Sequence, residues 1–232
     1  MIIIKSLTLK YGKKTVIDNL SVQFDANKIH GIVGLNGAGK TTLLNAIFRI
    51  KKPAAGHIYW NEAEISRKQI SMLPTEPFFY DNITGKEYLD IFQEPNFELN
   101  KWNALFKLPL KEITDTYSTG MKKKLALMAV IKQNKPIMIL DEPFNGLDLE
   151  TTRIVRSILL QMKLQGKTII ITSHVMETLT NLCDKLYHLS EKNILEQADK
   201  SNFDTFEQSL FQNIEERNKT AFNDLFGQSE HN

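Results

Sequence analysis

A single cysteine, Cys183, stands in 232 residues, so no disulfide can close within the chain and no cysteine-rich zinc site is possible. That usage suits a reducing compartment, and a lone thiol of this kind ordinarily fills core volume. Long hydrophobic runs are missing as well. The apolar start, Met1 to Ile4, is too short for a signal-peptide core, and no segment approaches the ~20 apolar residues of a membrane helix. Surplus charge is also absent. Lys and Arg number 29 against 27 Asp and Glu, a net charge of +2, too mild to argue for nucleic acid, whose binders carry a strongly basic face. No internal repeat is visible, which argues against two fused copies. The expectation is a protein that acts from outside the bilayer, on the cytoplasmic side.

What is present is enough chain to bury roughly 70% of its unfolded surface without disulfide staples. Ile2 to Leu9 and Val16 to Phe24 read as antiparallel neighbours, joined through a Gly12-Lys13-Lys14 turn. Ile29 to Val33 is a short strand that runs into glycine and then into a helix from Lys40 to Ile50. His57 to Trp60 and Ile70 to Leu73 look like further strands. From Pro74 to about Ile131 the pattern becomes helical, with a capping box at Thr84 to Glu87, a short helix over Leu105 to Leu110 and another over Gly120 to Ile131. Strand and helix then alternate again through Leu189. Alternation of this kind implies a mainly parallel sheet covered by helices, here interrupted by a helical insertion over about 76–131. The tail, 201–232, spaces Phe203, Phe206, Leu210, Ile214, Phe222 and Phe226 as an amphipathic helix or helix pair. Such a face packs on its own domain or faces a partner or membrane.

The chemistry begins at Gly34-Leu35-Asn36-Gly37-Ala38-Gly39-Lys40-Thr41, which matches the P-loop pattern G-x-x-x-x-G-K-[ST]. Glycines let the backbone wrap closely and turn its N–H groups toward phosphate oxygens. The helix that follows presents its positive end. Lys40 supplies a point charge for the β and γ phosphates, the Thr41 hydroxyl suits Mg²⁺, and Thr42 offers a second hydroxyl. Ile137-Met138-Ile139-Leu140-Asp141-Glu142 supplies the second half: a buried strand delivering two acids to its C-terminal end. Asp141 suits the Mg²⁺ shell, and Glu142 suits a general base toward water. His174 ends the strand-like run Ile169 to Ser173 at the rim of the same sheet.

These three features together resemble the ATP-binding cassette ATPases of membrane transporters, over about residues 1–200. Tyr117-Ser118-Thr119-Gly120-Met121-Lys122 looks like that family's signature loop L-S-G-G-Q, about 20 residues ahead of the acids. The resemblance implies a P-loop NTPase core of the α/β class, with a mainly parallel sheet, an N-terminal antiparallel β-subdomain and an inserted helical subdomain. It also implies roles. Tyr11 matches the aromatic that stacks on adenine, and Gly34, Asn36, Gly37, Ala38, Gly39, Lys40, Thr41 and Thr42 match the phosphate-binding positions. Asp141 matches the metal-site acid, Glu142 the base and His174 the switch histidine. Asn145-Gly146-Leu147-Asp148 resembles the D-loop. Ser118 and Gly120 match the positions that cap the γ-phosphate held by a second copy. Those two residues open an apparent helix, where free N–H groups make an anion site, so head-to-tail pairing would let each ATP bridge two helix starts.

The sequence departs from the family in two places. The first glycine of the signature is Thr119 and its glutamine is Met121, as in exporter-branch loops of the form S-T-G-M-K. The glutamine expected after Met72-Leu73-Pro74 is Thr75, followed by Glu76. Thr75 can coordinate Mg²⁺ through its hydroxyl but is shorter, while Glu76 could reach but adds charge, so the relay to the membrane subunit should persist and the metal contact should differ. The run Lys122-Lys123-Lys124 reads as a solvated helix face, with a contact to acidic coupling helices or lipid headgroups as the alternative.

The leading expectation is an ATPase subunit that uses ATP and Mg²⁺, pairs with itself or a similar cassette, and drives a separate integral membrane permease, with export favoured. It would be peripheral on the inner face of the membrane, with permease contact near Pro77 to Ile83. A ribosome- or DNA-acting relative is the second reading. A sensor that binds nucleotide without hydrolysis is the third, disfavoured because Lys40, Glu142 and His174 are all present. No N-K-x-D motif supports a GTPase, since Asn134-Lys135-Pro136-Ile137 lacks the acid.

Overall fold

Along β1, Ile2–Tyr11, buried residues fall at Ile2 and Ile4 and then at Leu7 and Leu9. The inward phase slips by one residue between them. A register shift between Ile4 and Leu7 accounts for it, with Ser6 at φ 48°, so the bulge keeps both apolar pairs on the core side. The computed structural model describes residues 1–190, 192–212 and 216. In it β1 pairs antiparallel with β2, Lys14–Phe24, and with β4, Ala55–Trp60, and β5, Ala63–Glu64, extends the edge. This small sheet has the order β2-β1-β4-β5.

The second sheet joins β3, Ile29–Val33, to β6, Ile70–Leu73, β7, Ile137–Asp141, β8, Thr168–Thr172, β9, Lys185–Ser190, and β10, Asn193–Asp199. Its order is β10-β9-β3-β8-β7-β6, parallel throughout except that β10 runs against β9. Strands β3, β7 and β8 are buried at every residue, as expected of parallel strands covered on both faces. The helix α1, Lys40–Ile47, fills the space between the sheets. Its Leu43, Leu44 and Ile47 share one core with Ile4, Leu9 and Ile17 of the small sheet and Ile32, Ile139 and Ile170 of the large one.

The opposite face of the large sheet is covered by α5, Leu149–Leu164, by α6, Met176–Thr180, and by an insertion between β6 and β7. The insertion contains α2, Gly85–Asp90, α3, Leu99–Phe106, and α4, Thr119–Lys132. The expected capping box is formed: Thr84 Oγ1 accepts from the Glu87 amide, and the Glu87 carboxylate accepts from the Thr84 amide. The helix expected over 105–110 lies earlier. It stops at Lys107, which turns left-handed at φ 53°, because Pro109 disfavours helical geometry at Leu108. The Asn103 side chain instead bonds both backbone groups of Leu108. In the tail, a helix over 203–212 buries Phe203, Phe206 and Leu210 against the same core as α5 and α6. Ile214, Phe222 and Phe226 lie outside the described residues. Among those described, no helix is long and apolar enough to cross a membrane.

Candidate functional site

The loop from Gly34 to Lys40 leaves β3 and enters α1 at the C-terminal edge of the parallel sheet. Two glycines are dictated by space and backbone. A Cβ at Gly34 would lie 2.3 Å from the Leu189 carbonyl oxygen. Gly39 sits at φ 104°, with Val16 and Ile17 crowding the position of its missing Cβ. Lys40 is buried, and its ammonium donates to the carbonyls of Gly34 at 2.7 Å and Leu35 at 3.2 Å. Burial lowers its pKa, while the carboxylates of Glu142 and Asp141 pull the other way.

Asp141 ends β7 almost wholly buried, and its two oxygens are spoken for by hydroxyls. Oδ2 accepts from Thr41 at 2.6 Å and from Thr75 at 2.8 Å, and Oδ1 accepts from Thr172. Thr172 lies opposite Asp141 in the β7–β8 register and also accepts from the amide of Glu142 at 3.0 Å. Thus Thr172 fixes the turn that carries the base candidate. Glu142 itself stands at φ 50°, a conformation that non-glycine residues seldom adopt outside special sites. Its Oε2 lies 3.0 Å from Nδ1 of His174, whose side chain is 52% exposed.

Most of these groups share one open cavity. Asn36, Gly37, Gly39, Lys40, Thr41, Thr42, Thr75, Asp141 and Glu142 line it, together with Val16. Ala38 lies within the same loop. Among the described residues no cluster of three or more His, Cys, Asp or Glu side chains makes a metal cage. The donor set is one carboxylate and two hydroxyls converging on Oδ2 of Asp141, which fits a hard cation that keeps most of its shell for water and phosphate.

Besides Gly34, Ala38 and His174, which adjoin it in the chain or through Glu142, four sequence candidates do not line this cavity in the single chain. Tyr11 is 51% exposed, with the ammonium of Lys51 over its ring, 3.9 Å from the centroid. Ser118 caps α4 by accepting from the Met121 amide at 3.3 Å. Gly120 packs so closely that a Cβ would come 2.9 Å from the carbonyl oxygen of Gly146. Asp148 caps α5, taking both the amide and the hydroxyl of Thr151.

The sequence and the fold match known proteins. A family model described as ABC transporter matches residues 17–145. The chain belongs to the ABC transporter family. As a member it is an ATP-binding, ATP-hydrolysing cassette. Among its relatives is a bacitracin transport ATP-binding protein, BcrA of Enterococcus faecalis, 29% identical over 85% of this chain and 68% of the relative. The lantibiotic transport ATP-binding protein SrtF of Streptococcus pyogenes is 27% identical over 92% of this chain and 96% of its own. Among solved structures, the ATP-binding subunit of an ABC transporter superposes with a TM-score of 0.80 at 24% identity, covering 86% of this chain and 90% of that one. A dimeric ATP-binding cassette bound to ADP and Pi gives 0.78 at 19%, covering 86% and 99%. The expected α/β cassette, with its antiparallel subdomain and helical insertion, is the fold observed.

The ABC cassette holds residues that sequence reasoning passed over. Thr172 carried no motif, and its role depends on the strand order. The lysine run is a correction. Lys123 is buried at 3% exposure and donates to the Thr75 carbonyl at 3.0 Å, and Lys124 lies 3.6 Å from Asp148. Successive helix residues point about 100° apart, so three lysines in a row cannot share a solvated face.

Proposed function

We propose that this cassette powers export by a separate membrane-spanning permease, working as a head-to-tail pair at the inner face of the membrane. The observation that carries the ATPase half is the convergence of Thr41, Thr75 and Thr172 on Asp141 beside the Glu142–His174 pair. In this reading the loop amides from Asn36 to Lys40 and the Lys40 ammonium hold the phosphates of ATP. Thr41, Asp141 and Thr75 would hold Mg²⁺, which would supply charge neutralisation to the phosphates. Glu142 accepts a proton from the attacking water, and His174 orients the carboxylate by donating from Nδ1. Ser118 and Gly120, placed away from their own cavity at the start of α4, suit a phosphate presented by a second copy, with Asp148 nearby in the same junction. Tyr11, exposed beyond the loop, suits the base.

Export is supported by the relatives' transport of bacitracin and lantibiotics and by the Ser118-Thr119-Gly120-Met121-Lys122 form of the signature. The permease contact falls at the groove beside Phe78, which is 72% exposed and forms an edge-to-face pair with Tyr80. Large apolar groups left in water at a groove mark a protein contact. The decisive experiment replaces Glu142 with Gln. Turnover should drop about 10²-fold or more while ATP binding persists. Wild-type turnover in E142Q would remove Glu142 as the base.

A further inference from the structure

Lys123 is a buried ammonium on the third residue after Gly120, and it crosses from α4 to the loop that carries Thr75. Its donation to the Thr75 carbonyl at 3.0 Å is matched, on the same residue, by donation from the Thr75 hydroxyl to Asp141 at 2.8 Å. The carboxylates of Asp141 and Glu142 act on the ammonium electrostatically, offsetting part of the loss of solvation that burial imposes. An ammonium taken out of water costs several kcal/mol before compensation, and an apolar side chain of like volume fills such space more favourably. A charge kept there, with no carboxylate among the described residues in direct contact, has another task.

We propose that Lys123 is a positioning residue: by holding the Thr75 backbone it aims the Thr75 hydroxyl at the Asp141 metal position and ties that position to the start of α4. The inference rests on the ATPase reading above and adds a residue that neither touches phosphate nor metal. Thr75 is otherwise exposed, in a loop that follows Pro74 and precedes Glu76. Without a tether its short side chain has no fixed approach to the cavity, whereas a longer side chain would tolerate drift. The tether also gives the helix start carrying Ser118 and Gly120 a rigid connection to the metal end of the same chain's site, one turn of helix away.

The test compares Lys123→Met with the wild type in steady-state ATP hydrolysis titrated with Mg²⁺, and in binding of a fluorescent ATP analogue in EDTA. The half-saturating Mg²⁺ concentration should rise about tenfold, as for loss of a group that orients a ligand, while metal-free nucleotide affinity stays within about twofold. Lys123→Gln, which keeps a donor without the charge, should recover most of the shift. In a Thr75→Val background, Lys123→Met should add no further shift. An unchanged Mg²⁺ midpoint in K123M overturns the proposal. So does a parallel loss of metal-free nucleotide affinity, failure of K123Q to recover, or full additivity with Thr75→Val. An inactive wild type would instead defeat the ATPase reading, and the double-variant cycle read by Mg²⁺-dependent nucleotide binding would still report on Lys123.

Discussion

The Thr75 hydroxyl donates to Oδ2 of Asp141 at 2.8 Å, the same oxygen that accepts from Thr41 at 2.6 Å. Two hydroxyls from distant parts of the chain therefore meet at one carboxylate oxygen, the place where the proposed mechanism would hold Mg²⁺. Thr75→Val removes one donor at nearly constant volume. The half-saturating Mg²⁺ for ATP hydrolysis should rise about tenfold in T75V, with Thr75→Ser close to wild type. A T75V enzyme with the wild-type Mg²⁺ midpoint would show that this hydroxyl has no part in metal binding.

His174 faces Oε2 of Glu142 through Nδ1 at 3.0 Å, and in the proposed mechanism its part is to orient the base by hydrogen bonding. In His174→Asn the amide nitrogen lies near the position of Nδ1, whereas His174→Ala leaves that oxygen without the donor. Single-turnover hydrolysis should fall about 10²-fold in H174A and clearly less in H174N. Equal loss in both variants would mean that the imidazole acts elsewhere, for instance on phosphate directly.

Much of this site was legible because its chemistry is local. The loop from Gly34 to Thr41 and the strand ending in Asp141-Glu142 state their geometry in consecutive residues, since a buried apolar run must end where the sheet ends. The β1–β2 pair followed from a short turn in the same way. Thr172 was silent because its partner is set by β7 lying beside β8, a long-range fact. Lys123 was misleading, because a run of like charge suggests solvent although helix geometry turns one of the three inward. β10, with Glu196, Gln197 and Asp199 among its residues, has no clear apolar alternation and owes its place to pairing with β9.

Packing around Gly31 is a separate constraint on the central strand. An added Cβ would lie 2.6 Å from Leu186 Cδ2 and 2.8 Å from Cys183 Sγ. Gly31→Ala should therefore lower the unfolding free energy by about 1–3 kcal/mol. Cys183→Ala, placed in the same chain, should recover part of that loss in urea titration. Wild-type stability for Gly31→Ala alone would mean that the neighbouring strand shifts freely.

His30 predicts a specific acid sensitivity. It is fully buried, with Nε2 2.8 Å from the Asp25 carbonyl oxygen, Nδ1 3.2 Å from the Tyr187 hydroxyl and its ring edge-on to Phe24. Burial disfavours the imidazolium and pushes its pKa down to about 4 from the ordinary 6.5. The neutral ring is the native form, so below pH 6.5 the unfolded chain takes up the proton first. The stabilising contribution is complete above that value and declines as pH falls toward 4, by about 3 kcal/mol in total. Asp25, held down to about 2 chiefly by its hydrogen bond from Lys28, acts in a lower window: its contribution is present above 3.8 and is lost as pH falls toward 2. The difference in urea stability between wild type and His30→Gln isolates the upper window from the other histidines. It should shift by that amount between pH 7 and pH 4. A constant difference across the range would show that His30 charges as readily in the fold as in the open chain.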